Sequence, residues 1–405
     1  MSTLLLSDLH LGSTSGSDLL RRVELRQPLL DAVADVDRVV LLGDVLELRQ
    51  GPLRDSMAAA RPFFEDLGRA LGGRELVITA GNHDHALVDP WLASRGELVE
   101  PPPLELQQLI EPSKASPALG RIAEWASPAD VRVAYPGLWV RPDVYATHGH
   151  YLDCHMTVPT LERLSVGFMS RLLGRPASAF TSVADYEGLE APLFAWRDAV
   201  ARDTPTGAAL NGIATVNAWH VLRGSWHQDS DAVPGTHAKP ARRRTPRWLT
   251  RRRPLAGLRR AALVSAFPLA VAALNRAGVG PLKPNISTGE LRRAGLAAMG
   301  EVAARVGLDD AYVVFGHTHR AGPLAGDDQE EWLGRAGARL INTGSWTYAS
   351  IFLTAKPGES PYWPGGCVLV GDSGPPVYRC LLSDRTIPEI MPPDAPEPQL
   401  TPDPA

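Results

Sequence analysis

The chain has 405 residues, 44% of them hydrophobic and 21% charged, which excludes wholesale disorder and allows one large domain with an insertion or two domains. Three cysteines, Cys154, Cys367 and Cys380, make neither a CxxC pair nor an even framework, so disulfide stapling and a thiolate zinc site are not expected and a reducing, cytoplasmic setting is. The net charge of -4 hides an asymmetry: 232–289 carries twelve Lys or Arg and no acid, which leaves the rest of the chain at -16.

Taken in chain order, the apolar, β-rich run 3–7 lacks the basic region and long apolar stretch of a signal peptide and reads as a buried strand. Further strands are predicted at 38–42, 75–79 and 144–147, with amphipathic helices at 17–34 and 54–71 between the first three. Such alternation predicts an α/β layered fold. From 151 to 289 the chain is rich in Trp, Pro and Arg and reads as a mainly helical insertion, or lid. A helix at 290–306 then leads back to strands at 312–315, 339–342, 366–370 and 376–381. The last three have no helices between them, so the sheet is expected to close with antiparallel strands. The core is therefore assigned to 1–150 and 290–385. Residues 386–405, Pro-rich and acidic without a base, are expected to be disordered. No uncharged apolar run reaches the roughly 18 to 20 residues that span a bilayer.

Five short motifs follow predicted strands: Asp8-Leu9-His10, Gly43-Asp44, Gly81-Asn82-His83-Asp84, His148-Gly149 and Gly316-His317-Thr318-His319. Ligand sites of open α/β sheets gather at the carboxyl ends of strands. Asp8 and His10, two apart on extended chain, can turn a carboxylate and an imidazole the same way. Asp44 has two oxygens and so can bridge two cations. Asn82 offers an amide oxygen, although Gly-Asn is equally ordinary turn chemistry. Mixed nitrogen and oxygen donors suit manganese, iron or zinc better than calcium. Two such cations would lower the pKa of a bridging water and clamp phosphoryl oxygens.

The order Asp-x-His, Gly-Asp, Gly-Asn-His-Asp, His-Gly, Gly-His-x-His resembles the calcineurin-like metallophosphoesterase superfamily over the core segments. The resemblance implies a calcineurin-like β-sandwich flanked by helices, and a hydrolase for a phosphate ester or pyrophosphate with two divalent metal ions, manganese first. It implies that Asp8, His10 and His319 hold one ion and Asn82, His148 and His317 the other, with Asp44 bridging. His83 then acts near the leaving group as an imidazolium, Glu47 orients it, and Asp84 supports the ligands from behind. Asp8-Leu9-His10-Leu11, Gly43-Asp44-x-x-Glu47 and His148-Gly149 with Asp153 also resemble the bacterial UDP-diacylglucosamine pyrophosphatase branch, which carries Arg where His83 stands. His150, Asp153 and His155 crowd the same loop without an assigned role.

From His148 to His317 is 169 positions, far more than a crossover needs. Within them an Arg-rich run over 242–260 precedes an uncharged stretch in which Leu263, Phe267, Val271 and Leu274 share one helical face. That pattern in 240–275 is read as a lid helix with a solvated Arg loop, or as peripheral attachment to the inner, anionic membrane face. Nucleic acid is the weaker partner, since Trp248 is almost the only aromatic among the Arg residues. A nuclease of the same fold and a non-catalytic metal-binding scaffold are the alternative functions.

Overall fold

The computed structural model describes residues 1–97, 100–203, 266–353 and 360–393. Its strands are β1 Thr3–Leu6, β2 Arg38–Leu42, β3 Glu75–Thr79, β4 Gln107–Ile110, β5 Asp130–Arg141, β6 Val144–Thr147, β7 Tyr312–Phe315, β8 Arg339–Asn342, β9 Gly366–Val370 and β10 Val377–Cys380. The helices are α1 Val23–Ala34, α2 Leu53–Leu71, α3 Asp89–Gly96, α4 Pro112–Ala115, α5 Pro117–Trp125, α6 Leu161–Leu173, α7 Val183–Asp203, α8 at 266–276 and α9 Thr288–Arg305. The strands form one mixed sheet in the order β10-β9-β1-β2-β3-β5-β6-β7-β8, with β4 on β5.

Side-chain alternation along the strands builds the layers. Leu4 and Leu6 of β1 pack outward with Leu29, Phe63, Phe64 and Leu119 of α1, α2 and α5. Leu5, between them, packs with Val40, Val77, Ala146, Val314 and Ile341, so the β1–β3 and β6–β8 parts of the sheet share an inner core. Beyond β6–β8, Tyr145, Val313, Phe315 and Leu340 pack with Leu296 and Met299 of α9. α2 follows Pro52, buries Ala60, Phe63, Phe64, Leu67 and Leu71 at helical spacing, and stops at Gly72, whose φ of 61° ends a helix without strain. Phe63 and Phe64 are fully buried, worth about 1.5–3 kcal/mol each.

β1, β2 and β3 are mutually parallel, and so are β6, β7 and β8. The loops after β1, β2, β3, β6 and β7 carry the five motifs.

The structure departs from expectation at several places. The first helix begins at Val23, after a single 3-10 turn at Leu19–Arg21. β9 and β10 are antiparallel as expected, but β8 runs parallel to β7. β5 was not foreseen; its first residues pair with β3 and its last with β6, linking the two parts of the sheet. The segment expected to be a disordered tail starts as folded chain: Ile387–Ile390 is a helical turn with a capping box at Thr386, Ile390 is fully buried, and Arg22 donates to the Ile390 and Met391 carbonyls. The rest of it, from 394, lies outside the described residues.

Phe267, Val271 and Leu274 of α8 pack on Leu164, Val279 and Leu282, so most of the apolar face suggested for a membrane is turned inward. Leu263 and the Arg run lie outside the described residues. Among the described residues no helix is long and apolar enough to cross a membrane.

Candidate metal centre

The backbone brings the five loops together by pairing them. Asp8 N donates to Gly43 O, His10 N to Asp44 O and Leu11 N to Val45 O; on the other side Gly316 N donates to His148 O. Asp84 ties the second and third loops, its carboxylate accepting from the amides of Gly81, Asp44, Val45 and Leu46 at 2.7 to 3.2 Å. Two glycines permit the crowding. A Cβ at Gly81 would strike the Asp44 carboxylate, and one at Gly316 would strike Ser7 and Asp8.

Asp8, His10, Asp44, His317 and His319 all have positive φ, between 47° and 66°; among the described non-glycine residues only Asp310 joins them. A left-handed backbone costs such residues free energy, about 1–3 kcal/mol each, and collects at functional sites. It turns their side chains inward from strand ends that would otherwise point them apart.

The four expected histidine ligands share one arrangement. His148 Nδ1 lies 2.9 Å from the Leu42 carbonyl, which only accepts, so in the neutral ring Nδ1 carries the proton and Nε2 presents its lone pair. His317 Nε2 meets Asp153 at 2.9 Å, His10 Nδ1 meets Glu47 at 3.2 Å, and His319 Nδ1 meets the Thr347 hydroxyl at 3.4 Å. Each outer nitrogen is held, and each inner one faces the others. His10 Nε2 and His319 Nε2 stand 3.2 Å apart, with Asp8 Oδ1 3.2 Å from the latter. Asp44 Oδ2 is 3.6 Å from His10 Nε2 and 3.4 Å from His148 Nε2, so one carboxylate oxygen serves both halves of the cluster.

These donors fit metal ions on three counts. Asp8 Oδ1 is buried without a hydrogen-bond partner. The Asn82 Oδ1 atom lies 3.1 Å from His148 Nε2, 3.2 Å from His317 Nδ1 and 3.2 Å from Asp44 Oδ2, while the amide nitrogen faces the Arg49 guanidinium at 3.1 Å. Turned the other way the amide hydrogen-bonds to all of these groups, and in either orientation it reaches into the space between His148, His317 and Asp44. Three residue groups can each surround an ion: Asp8, His10 and His319; Asp44, His148 and His317; and His10, Asp44 and His83.

The electrostatics agree. Burial opposes protonation of His10, but its hydrogen bond to Glu47 and the charges of Asp44, Glu47 and Asp8 outweigh it and lift the pKa to about 9. His148 rises to about 9 against burial through Asp44. Burial pushes Asp8 upward, yet His319 brings it down to about 2, and His148 holds Asp44 well below the carboxylate range. The pocket of carboxylates demands positive charge at its centre.

The structure gathers all nine expected site residues. Glu47, 1% exposed, grips His83 Nδ1 at 3.0 Å, as expected, and holds His10 as well. Burial, aided by the charge of Arg49, keeps the His83 pKa below the ordinary value despite Glu47, which favours neutral imidazole over imidazolium. His83 also stands near enough to His10 and Asp44 for geometry alone to admit it as a ligand. Asp153, left without a role by the sequence, sets the tautomer of His317. His155 instead meets the Tyr186 hydroxyl at 2.7 Å, away from the centre. Arg49 was not foreseen either; its one signal is a base two residues after Glu47 on a buried loop, 8% exposed.

No protein-family model matches the chain, and no curated protein matches it.

Proposed function

We propose that this chain is a dinuclear metal-dependent phosphoesterase built on a calcineurin-like sandwich, with 151–289 as a helical insertion beside the site. The observation that carries the reading is the pairing of four inward histidine lone pairs with one carboxylate oxygen, Asp44 Oδ2, common to both halves of the cluster. Asp8, His10 and His319 would hold one divalent ion and Asn82, His148 and His317 the other, with Asp44 shared. Manganese, iron and zinc all suit this donor set. When bound, such a pair supplies a water activated near neutral pH and a clamp for phosphoryl oxygens.

The chain's own residues do the rest. Glu47 holds His10 in its ligating tautomer and anchors His83 through Nδ1. His83 lines the cavity over the centre, and among the described residues its Nε2 has no hydrogen-bond partner. With Nδ1 donating to Glu47, that nitrogen accepts in the neutral ring, and in the imidazolium form it can give a departing alkoxide its proton. The loop pairings keep the ligands rigid, so little reorganisation is left for the reaction.

The test is metal content by elemental analysis, together with metal-stimulated turnover of p-nitrophenyl phosphate and its bis ester. A protein that takes up about two transition-metal ions per chain and hydrolyses either ester supports the reading. One that purifies without metal, takes none up and shows no metal-stimulated hydrolysis rejects it in favour of a scaffold.

A further inference from the structure

A cavity of about 270 Å³ opens on Asp44, Asn82, His83, His317 and His319. Its other wall is apolar, made by Leu152, Met156, Leu291, Leu296, Phe315 and Trp332. We propose that this cavity receives the leaving group of the substrate, and that the group it fits is uncharged, apolar and about the size of one or two aromatic rings. The proposal rests on the phosphoesterase reading and adds the substrate class to it.

Four observations carry it. The first is position, since metal ligands and apolar wall line the same space. The second is charge. Two guanidinium groups line the cavity, and both are bound to carboxylates: Arg320 Nη1 to Asp327 at 3.0 Å, and Arg292 to Asp327 at 3.5 Å and Glu331 at 2.9 Å. Glu162 adds a carboxylate to the lining. A second phosphate entering there would meet paired bases and an acid, so a diphosphate leaving group is disfavoured.

The third is size. Drug-sized ligands occupy roughly 300–1,000 Å³, so this volume suits a ring system and is too small for a lipid with two acyl chains. The fourth is Gly295, inside α9. Glycine is disfavoured in helix interiors, and here a Cβ would meet nothing nearer than Met156 Cε and Thr318 Cγ2 at 3.7 Å. The missing side chain keeps the cavity open. Trp332, beneath the Arg320 guanidinium at 5.4 Å, is held in place as part of the apolar wall.

The experiment uses the full chain loaded with manganese and two matched pairs of probes. Ethyl phosphate and 2-phenylethyl phosphate have leaving alcohols of similar basicity, so their kcat/KM ratio reports recognition of the apolar group. The corresponding phosphonates, ethylphosphonate and 2-phenylethylphosphonate, measured by calorimetry, report it without turnover. The expected result is at least a tenfold preference for the phenylethyl member in both assays. In Gly295→Leu that ratio should fall to within about twofold, and Gly295→Ala, which adds only a methyl group, should give an intermediate ratio if the leucine variant does not fold.

Equal ratios in the parent protein, or a preference that survives both substitutions, overturn the cavity assignment. The outcomes separate the two readings. Hydrolysis of both esters without preference keeps the phosphoesterase and removes the pocket. Selective phosphonate binding that Gly295→Leu abolishes, with no ester hydrolysed, keeps the pocket and rejects the phosphoesterase.

Discussion

Two buried polar clusters lie close together in this molecule and are built on opposite rules. In the metal centre, lone pairs and carboxylate oxygens face one another: His10 against His319, and Asn82 Oδ1 against His148 and His317. In the second cluster acids surround a histidine and hydroxyls surround an acid. His85 Nε2 lies 2.7 Å from Glu187, its Nδ1 2.7 Å from Asp89, and Glu187 accepts from Tyr135 at 2.7 Å and Tyr151 at 2.8 Å. One arrangement gathers donors around a space that a metal ion could fill; the other sets His85 among its acids. The contrast separates a candidate binding centre from an internal brace, though both are made of histidines and acids. His150 sits between them, 1% exposed, with neither ring nitrogen hydrogen-bonded.

The comparison breaks most sharply at Asp44. Asp44→Asn keeps the shape and tolerates the left-handed backbone but removes the shared charge. Turnover should fall by at least about 1,000-fold, near 4 kcal/mol, with metal content reduced and the melting temperature of metal-free protein little changed. Retained activity would show that Asp44 is not shared.

The brace should respond in the reverse manner. Glu187→Ala leaves a buried His85 without its main partner and should cost about 3–5 kcal/mol in urea unfolding, while metal bound per folded chain stays the same. A comparable loss of bound metal would mean the clusters act as one.

Asp153→Asn sharpens the boundary. It keeps the bulk beside His317 but weakens the hold on its outer nitrogen, and metal affinity measured by competition with a chelator should drop about 10- to 100-fold. An unchanged affinity would make Asp153 a bystander.

The smallest effect concerns pH. Burial works against the charge on His85, but Glu187 and Asp89 lift its pKa to about 10 from 6.5. Because the folded value is the higher one, this stabilisation is complete below about pH 6.5 and is lost as pH rises toward 10. Unfolding free energy of metal-free protein should decline over that window, in which His10 and His148 also lose their protons, and His85→Leu should make the decline shallower. A slope unchanged in the variant would assign it to His10 and His148 alone.

Much of this was readable in advance where the signal is local. β2, β3, β6, β7, β8 and β9 fall at the predicted residues because each is a continuous buried apolar run. β5 escaped because Pro136 and Gly137 interrupt it and Asp130 and Arg132 are exposed, so its strand state comes from pairing with β3, β4 and β6. β4 is short and half-exposed, and only its partner defines it. The folded turn at Ile387–Ile390 was hidden by its prolines; Ile390 finds its place in the core through contacts far away in the sequence.

The sequence by itself determined which candidate residues come together, because metal-donor types are few and their strand-end spacing is local. Tertiary structure alone decided how they are held. Asp153 on His317, Glu47 across both His10 and His83, and Arg49 behind the Asn82 amide are contacts between loops distant in the chain. The same is true of the cavity, since its apolar wall joins α9, the segment after β6 and the turn at Trp332, and no periodicity in one segment records a space left open between three.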